Sequence, residues 1–257
     1  MSNILIIKHG SLGDLIQANG AMKDIKNFYK NRKVFLLTAQ PYAIFMSECP
    51  YLDGVIIDKR LPRWNLFYLK NLKNNLAKYN FTKIYDLQNS SRTKFYKRFI
   101  LKNVEWSSTE TSLEPGQKKS DFDKDPVLDR MEIQLKKSGI QTEFVKNIDL
   151  NWAISDISRL KKQYANNDYI LLFPFCSKKL PKKKWPFFKD LILRLKQDYK
   201  NKYPILLAPG PDEIDEANEL NAKVVLDNNQ PINIKTLVSC LLYTSPSPRD
   251  RTRSRMP

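Results

Sequence analysis

The sequence predicts an α/β protein with parallel sheets, and three observations carry this prediction. Short apolar runs such as residues 4–8 alternate with amphipathic stretches such as residues 14–29, the order typical of β-α units on a parallel sheet. Apolar residues make up 42% of the chain, which is enough for a buried core. A length of 257 residues accommodates two such units. We therefore expect two α/β domains, residues 1–150 and 151–239.

In the first domain, the helix predicted over residues 14–29 places Leu15, Ala18 and Met22 on one face. The polar stretch 107–125 indicates a loop, since it contains Pro115-Gly116. The predicted strands are residues 4–8, 34–38, 54–58 and 83–87. The other predicted helices are residues 41–47, 64–79, 93–101 and 126–138.

The second domain repeats the alternation with shorter elements. A proline at position 186 suits the first turn of a helix, which fixes the start of one predicted helix. The predicted strands are residues 169–173, 203–208 and 224–226, and the predicted helices are residues 154–164, 186–199 and 213–220.

Composition excludes several classes of protein. No apolar run approaches 18 residues, so we expect no transmembrane helix. Three cysteines cannot form a disulfide framework, which fits a reducing compartment. A single histidine, His9, excludes most histidine-based metal sites. We expect a cytoplasmic protein without a bound metal or cofactor.

The chain is strongly basic. Its 44 Lys and Arg against 27 Asp and Glu give a formal net charge of +17. This excess favours anionic partners: nucleic acid, phosphorylated substrates or an anionic membrane face. The alternative is that scattered lysines keep the surface solvated and bind no partner. The net charge alone does not distinguish these two interpretations.

Residues 240–257 differ abruptly from the sequence before them. They are rich in Ser, Pro and Arg and contain no lysine, whereas the preceding chain is rich in Lys, Asn and Ile. The segment resembles the translation of a transposon-based sequencing adapter, and such scars are excluded from fold reasoning. We expect a non-native tail and a second domain that is truncated at residue 239. Without the four arginines and one aspartate of this segment, the net charge is +14.

The turn after the first predicted strand reads Gly-Ser-Leu-Gly-Asp at residues 10–14. It satisfies neither the G-x-G-x-x-G fingerprint nor the P-loop pattern. What remains is Asp14 at the carboxyl end of a strand, where open α/β sheets bind ligands. The alternative is that Asp14 caps its helix and complements the helix dipole.

Two further strand-to-helix turns carry polar residues. Residues 178–184 include five lysines, which suit a diphosphate at a helix N-terminus, although a solvated basic loop is the alternative. Residues 208–213 end in Glu213, which could accept a hydrogen bond from a ribose hydroxyl or merely favour the first helical turn.

Three segments together resemble glycosyltransferase family 9, the heptosyltransferases of lipopolysaccharide core assembly. Residues 4–22 are similar to the family's opening strand and G-S-L-G-D turn, and residues 86–92 to its D-L-Q-x-x-x-R segment. Residues 174–186 are similar to its P-G-C-S-x-x-x-P-x-K-x-W-P loop. The resemblance covers essentially all of residues 1–239.

The resemblance implies a GT-B-like architecture of two Rossmann-like domains, an N-terminal acceptor domain and an incomplete C-terminal nucleotide-sugar domain. It implies an inverting, metal-independent transfer of a sugar, best known as heptose, from an ADP-heptose-like donor to a lipid-linked saccharide at the inner membrane surface. Asp14 becomes the candidate general base, and Gly13 and Arg92 become acceptor-side residues. The donor-binding candidates are Ser177, Lys183 and Glu213.

Two departures from the family pattern qualify these expectations. Phe175 stands where the family usually has glycine. The D-[S/T]-G-x-x-H donor motif is expected after residue 239 and does not occur, so we expect the 257-residue chain to be inactive. A protein that binds nucleic acid or an anionic surface without catalysis is the alternative, supported by the basic helix 93–102. A nicotinamide enzyme is disfavoured because the chain has no G-x-G-x-x-G.

Overall fold

The computed structural model describes residues 2–165, 168–176 and 181–242. The chain divides into two compact units, Met1–Trp152 and Ala153–Pro257. Parallel sheets with connecting helices dominate both units, so the predicted α/β fold class is confirmed.

The first unit contains a five-stranded parallel sheet with the order β3-β2-β1-β4-β5. Its central strand is completely buried from Ile4 to Ile7, as expected of a strand covered on both faces. The strands are β1 (Asn3–Ile7), β2 (Val34–Ala39), β3 (Gly54–Asp58), β4 (Phe81–Asp86) and β5 (Glu105–Ser107). The sequence did not predict β5.

Eight helices of the described chain belong to this unit. They are α1 (Leu12–Gln17), α2 (Asn19–Phe28), α3 (Gln40–Ser47), α4 (Leu66–Ala77), α5 (Ser91–Phe99), α6 (Thr109–Ser112), α7 (Lys119–Phe122) and α8 (Val127–Lys137). The prediction of one helix over residues 14–29 was wrong, because two helices meet at Ala18. The predicted loop 107–125 contains α6 and α7, each a single turn.

Packing across the first unit explains where α2 lies. The carboxylate of Asp24 accepts hydrogen bonds from the backbone N–H groups of Glu143, Phe144 and Val145 at 3.0–3.1 Å. A Cβ atom on Gly20 would lie 1.9 Å from the carbonyl oxygen of Phe144. Glycine is therefore required at position 20 by the close approach of the two backbones.

In the second unit, a three-stranded parallel sheet has the order β6-β7-β8. Its strands are β6 (Ile170–Leu172), β7 (Ile205–Leu207) and β8 (Lys223–Val224), and a small antiparallel pair consists of β9 (Leu226–Asp227) and β10 (Gln230–Pro231). The helices are α9 (Ser158–Tyr164), α10 (Phe188–Asp198), α11 (Ile214–Asn218) and α12 (Ile234–Leu242). Short 3₁₀ turns lie at Pro181–Lys183 and Pro211–Glu213, and a further one, Asn151–Ala153, includes the last two residues of the first unit.

Candidate functional site

The carboxyl edge of the first sheet gathers charged residues from three strands. Lys8 follows β1, Asp58 ends β3 and Asp86 ends β4. All three side chains are almost completely buried. Strand order alone explains the gathering, because the carboxyl ends of parallel strands share one edge.

Asp14 lies in the first turn of α1, which begins at this edge. Its carboxylate accepts hydrogen bonds from the backbone N–H of Ser11 at 2.8 Å and from the Ser11 hydroxyl at 3.1 Å. The capping role that the sequence left open is therefore present. The proposed role of Asp14 as a general base stays a prediction, and its partly exposed side chain leaves room for it.

The two glycines of the turn differ in what they require. Gly10 has a φ of 104°, and a Cβ there would lie 2.4 Å from a ring carbon of Tyr42. Gly13 is exposed, and no atom described lies within 4 Å of the position its Cβ would take. Packing therefore does not explain Gly13, whose predicted acceptor-side role is untested.

Asp14 lines a cavity of about 190 Å³ together with Lys8, Asn89, Arg130 and Gln134. The Lys8 ammonium is buried and donates a hydrogen bond to the carbonyl of Leu87 at 3.0 Å. Burial lowers the pKa of Lys8, and the nearby carboxylates of Asp14 and Asp86 partly oppose that shift. The cavity thus pairs a carboxylate with cationic neighbours.

Asp86 and Gln134 hold the loop after β4, and residues 87–89 of that loop line the cavity. Burial raises the pKa of Asp86, although its carboxylate accepts from the backbone N–H groups of Gln88 at 3.0 Å and Asn89 at 2.8 Å. The Gln134 amide donates to the carbonyls of Asp86 and Ser107. These contacts fix the loop that follows β4.

Arg130 reaches the cavity from α8. One guanidinium nitrogen donates to Asp123 at 3.1 Å, while its buried Nε has no hydrogen-bond partner among the residues described. Sequence reasoning missed Lys8, Arg130 and Gln134 as site residues. Lys8 carried a usable signal, since it is a lysine directly after four consecutive apolar residues of a strand.

A second buried network lies beside the turn and contains His9. Its Nε2 lies 2.8 Å from Asp58, whose carboxylate also accepts from the hydroxyls of Tyr68 and Tyr96. Burial alone would raise the pKa of Asp58, but its close contact with His9 and the hydrogen bonds from Tyr68 and Tyr96 outweigh burial and lower it to about 2. The network fixes β3 against β1 and α5.

Arg92 belongs to this network rather than to the cavity. Its guanidinium donates to the carbonyls of Leu61 at 3.0 Å and Arg60 at 3.2 Å, and to the Tyr96 hydroxyl at 3.1 Å. Arg92 is not among the described residues that line the Asp14 cavity. The structure therefore does not bring these two predicted site residues into one pocket, and the acceptor-side role of Arg92 stays a prediction.

The predicted donor-binding residues follow two neighbouring strands of the second unit. Lys183 ends the 3₁₀ turn after β6 and is exposed, and Glu213 ends the 3₁₀ turn after β7. Because β6 and β7 pair in parallel, both turns follow the carboxyl edge of this sheet. Ser177, the remaining donor candidate, lies outside the described residues.

Two polar contacts within the second unit involve residues that follow this edge. The Glu213 carboxylate accepts from the backbone N–H of Gly210 at 2.7 Å, so its local capping role is present and its nucleoside role is untested. Lys184 forms an ion pair with Glu216 of α11, which joins the lysine-rich segment to the helix that follows the turn after β7.

Two findings concern the described residues as a whole. No group of three or more His, Cys, Asp and Glu among them is arranged to hold a metal ion. In the same part of the chain, the helices are too short or too polar to cross a bilayer.

Solved structures share this fold. The E. coli heptosyltransferase WaaC with ADP-2-deoxy-2-fluoro heptose superposes with a TM-score of 0.65 and 16% identity, over 94% of this chain and 80% of that chain. E. coli ADP-heptose lps heptosyltransferase II superposes with a TM-score of 0.60 and 16% identity, over 85% of this chain and 67% of that chain. The UDP-GlcNAc 2-epimerase from Methanocaldococcus jannaschii superposes with a TM-score of 0.53 and 12% identity, over 93% of this chain and 76% of that chain.

The sequence matches no profile of a known protein family and no curated protein sequence. At 12–16% identity the structural similarity defines the fold. This chain has the fold of the heptosyltransferases of glycosyltransferase family 9, so the resemblance predicted from the motifs is confirmed at that level. An epimerase shares the fold, and the reaction must therefore be argued from the site.

Proposed function

We propose that this protein is an inverting glycosyltransferase that moves a sugar from a nucleotide-diphosphate donor to a saccharide hydroxyl. The observation that carries the proposal is Asp14, a partly exposed carboxylate that lines a cavity at the carboxyl edge of the first sheet. The similarity to heptosyltransferase structures supports the same reaction class.

In the proposed reaction, the acceptor hydroxyl oxygen attacks the anomeric carbon on the face opposite the nucleotide. The bond from that carbon to the diphosphate oxygen breaks, and its electron pair leaves with the nucleoside diphosphate. Asp14 takes the hydroxyl proton, a step typically worth about 10²–10⁴-fold in rate. Lys8 lines the same cavity as Asp14.

The donor half of the reaction needs positive charge at the departing diphosphate. Lys183 and the first backbone N–H groups of the following helix are our candidates for that role, with Ser177 as a further ligand. Glu213 would accept from the nucleoside, after giving up or sharing its hydrogen bond from Gly210. The proposed leaving-group site uses no metal ion.

We further propose heptose as the sugar, an ADP-linked donor, and a lipid-linked saccharide as the acceptor. Support comes from one structural neighbour, a heptosyltransferase whose structure contains an ADP-heptose analogue. An acceptor of this kind would place the protein in the cytoplasm, at the inner face of the membrane.

The direct test is a transfer assay with the protein expressed from its native gene, including whatever follows Ser239. Purified protein is incubated with ADP-heptose or UDP-GlcNAc and with glycolipid extracted from a strain that lacks the protein. We expect a nucleotide diphosphate and a glycolipid heavier by one sugar as coupled products. Epimerised donor sugar with unchanged glycolipid would contradict the proposal.

A basic nucleic-acid-binding protein is the second candidate, and the structure weakens one of its supports. On α5, Lys94 and Lys97 both lie within ion-pair distance of Glu110, at 2.6 and 3.5 Å. The positive charge of that helix is therefore partly neutralised. Micromolar binding of a random oligonucleotide with a steep salt dependence would favour this candidate.

A further inference from the structure

An exposed apolar patch lies on the first unit, between β3 and the first turn of α4. We call it the Trp64 patch, and it consists of Leu61, Trp64, Leu66 and Phe67. Trp64 is 80% exposed, Leu66 75% and Phe67 76%. Scattered apolar residues on a surface need no explanation, but three within four positions mark an interaction surface.

The backbone that carries the patch is held in place. Arg92 binds the carbonyl of Leu61, and the Asn65 side chain caps α4 by accepting from the backbone N–H of Tyr68 at 2.9 Å. The guanidinium of Arg63 lies 5.9 Å from the centre of the Phe95 ring. The apolar side chains therefore project from a fixed turn, and their exposure is built into the fold.

Basic residues flank the patch along the sequence. The segment from residue 59 to residue 85 contains seven Lys and Arg and no Asp or Glu. The basic residues nearest the patch in sequence are all exposed: Lys59, Arg60, Arg63, Lys70 and Lys73. An apolar centre inside a basic rim matches the interface of an anionic bilayer, where Trp sits at headgroup level and Lys and Arg attract lipid phosphates.

Two other occupants fit this surface less well. Nucleic acid would stack its bases on aromatic rings, and only two of the four patch residues, Trp64 and Phe67, offer such a ring. A second copy of the chain, docked symmetrically, would place two basic rims against each other. Charge complementarity thus selects an anionic lipid surface.

We propose that the Trp64 patch binds the surface of an anionic phospholipid bilayer, with Trp64, Leu66 and Phe67 inserted among the headgroups. The biological role of this binding rests on the proposed function, because the enzyme would meet a lipid-linked acceptor at the bilayer surface. The binding itself needs neither donor nor acceptor, so the two proposals fail separately.

The test measures flotation of the full chain with vesicles of phosphatidylcholine alone or phosphatidylcholine mixed with phosphatidylglycerol, without any glycolipid. One variant removes the apolar centre (Trp64→Ser with Phe67→Ser), and a second removes rim charge (Lys70→Gln with Lys73→Gln). Matched controls lie in and beside the α2–β2 connection, at the amino edge of the sheet: Phe28→Ser, and Lys30→Gln with Lys33→Gln. Circular dichroism verifies that each variant is folded.

We expect binding to the anionic vesicles only. The apolar variant should bind at least tenfold more weakly, and the charge variant about 30-fold more weakly, because each basic residue near an anionic surface contributes about fivefold. Brominated lipid should quench the fluorescence of wild type, and substitution of Trp64 by Phe should remove that quenching while binding persists.

Three results would overturn the proposal. One is an absence of anionic-vesicle binding by the wild type. Another is equal weakening by the test variants and their controls. The third is a wild-type dimer that the apolar variant converts to monomer without lipid, which would make the patch a self-association surface. Sugar transfer to a soluble acceptor would remain testable in each case.

Discussion

The carboxylate of Asp14 accepts a hydrogen bond from the backbone N–H of Ser11 at 2.8 Å while lining the cavity that also contains Lys8. One side chain therefore caps α1 and faces a space that a substrate hydroxyl could enter. The two roles make different demands, since capping needs an acceptor oxygen and proton transfer needs a basic one.

Gly20→Ala is expected to destabilise the first unit by about 3 kcal/mol, in the upper part of the range for overpacked cores. The added Cβ would lie 1.9 Å from the Phe144 carbonyl oxygen, and α2 would have to move off that segment. Urea unfolding followed by circular dichroism measures the change. An unchanged transition midpoint would show that the two backbones are not in close contact.

Gly13→Ala is the matched substitution without a steric conflict. Stability should stay the same or rise by a few tenths of a kcal/mol, because alanine favours a helix and meets no neighbour there. If the space beside Gly13 admits the acceptor, the same change should raise KM for the acceptor severalfold. Unaltered kinetics would remove Gly13 from the acceptor side.

Asp58→Asn should change how stability depends on pH. The folded-state pKa of Asp58 is about 2, below its ordinary value near 4, so its ionised form stabilises the fold above pH 4. That contribution, about 2 kcal/mol, is lost as the pH falls from 4 to 2. The difference in unfolding free energy between wild type and variant should shrink as the pH falls below 4. A constant difference down to pH 2 would contradict the assignment.

Lys183→Ala should weaken binding of ADP by roughly tenfold, in line with the loss of one charge-assisted hydrogen bond. Lys182 is the matched control, since it lies in the same 3₁₀ turn and is equally exposed. Isothermal titration calorimetry on the native gene product measures both. Equal effects of the two substitutions would indicate diffuse attraction by a basic loop in place of a specific contact.

Much of the fold could be predicted from local patterns. The wholly apolar residues 4–7 identify a buried central strand, and the alternation of strands and helices identifies parallel sheets. The turn at residues 10–14 was placed correctly at a strand end, because glycine and the strand pattern are both local signals.

What could not be predicted depends on distant contacts. The break between α1 and α2 falls at Ala18, although alanine is the residue type most favourable to a helix. The Asp24 side chain of α2 accepts hydrogen bonds from backbone N–H groups about 120 positions away, which hold this helix in place. Lys8, Arg130 and Gln134 meet at one cavity from segments that a single sequence does not pair.

The most direct test of the proposed function compares Asp14→Asn with wild type in single-turnover sugar transfer by the native gene product. The asparagine carbonyl can still accept from Ser11, so α1 stays capped, while the proton acceptor is lost. Ser11→Ala is the control that weakens the cap and keeps the carboxylate. We predict a rate at least 100-fold lower for Asp14→Asn with donor affinity and stability retained, and a rate within about threefold of wild type for Ser11→Ala. Transfer by Asp14→Asn at the wild-type rate would contradict the assignment of Asp14 as the base.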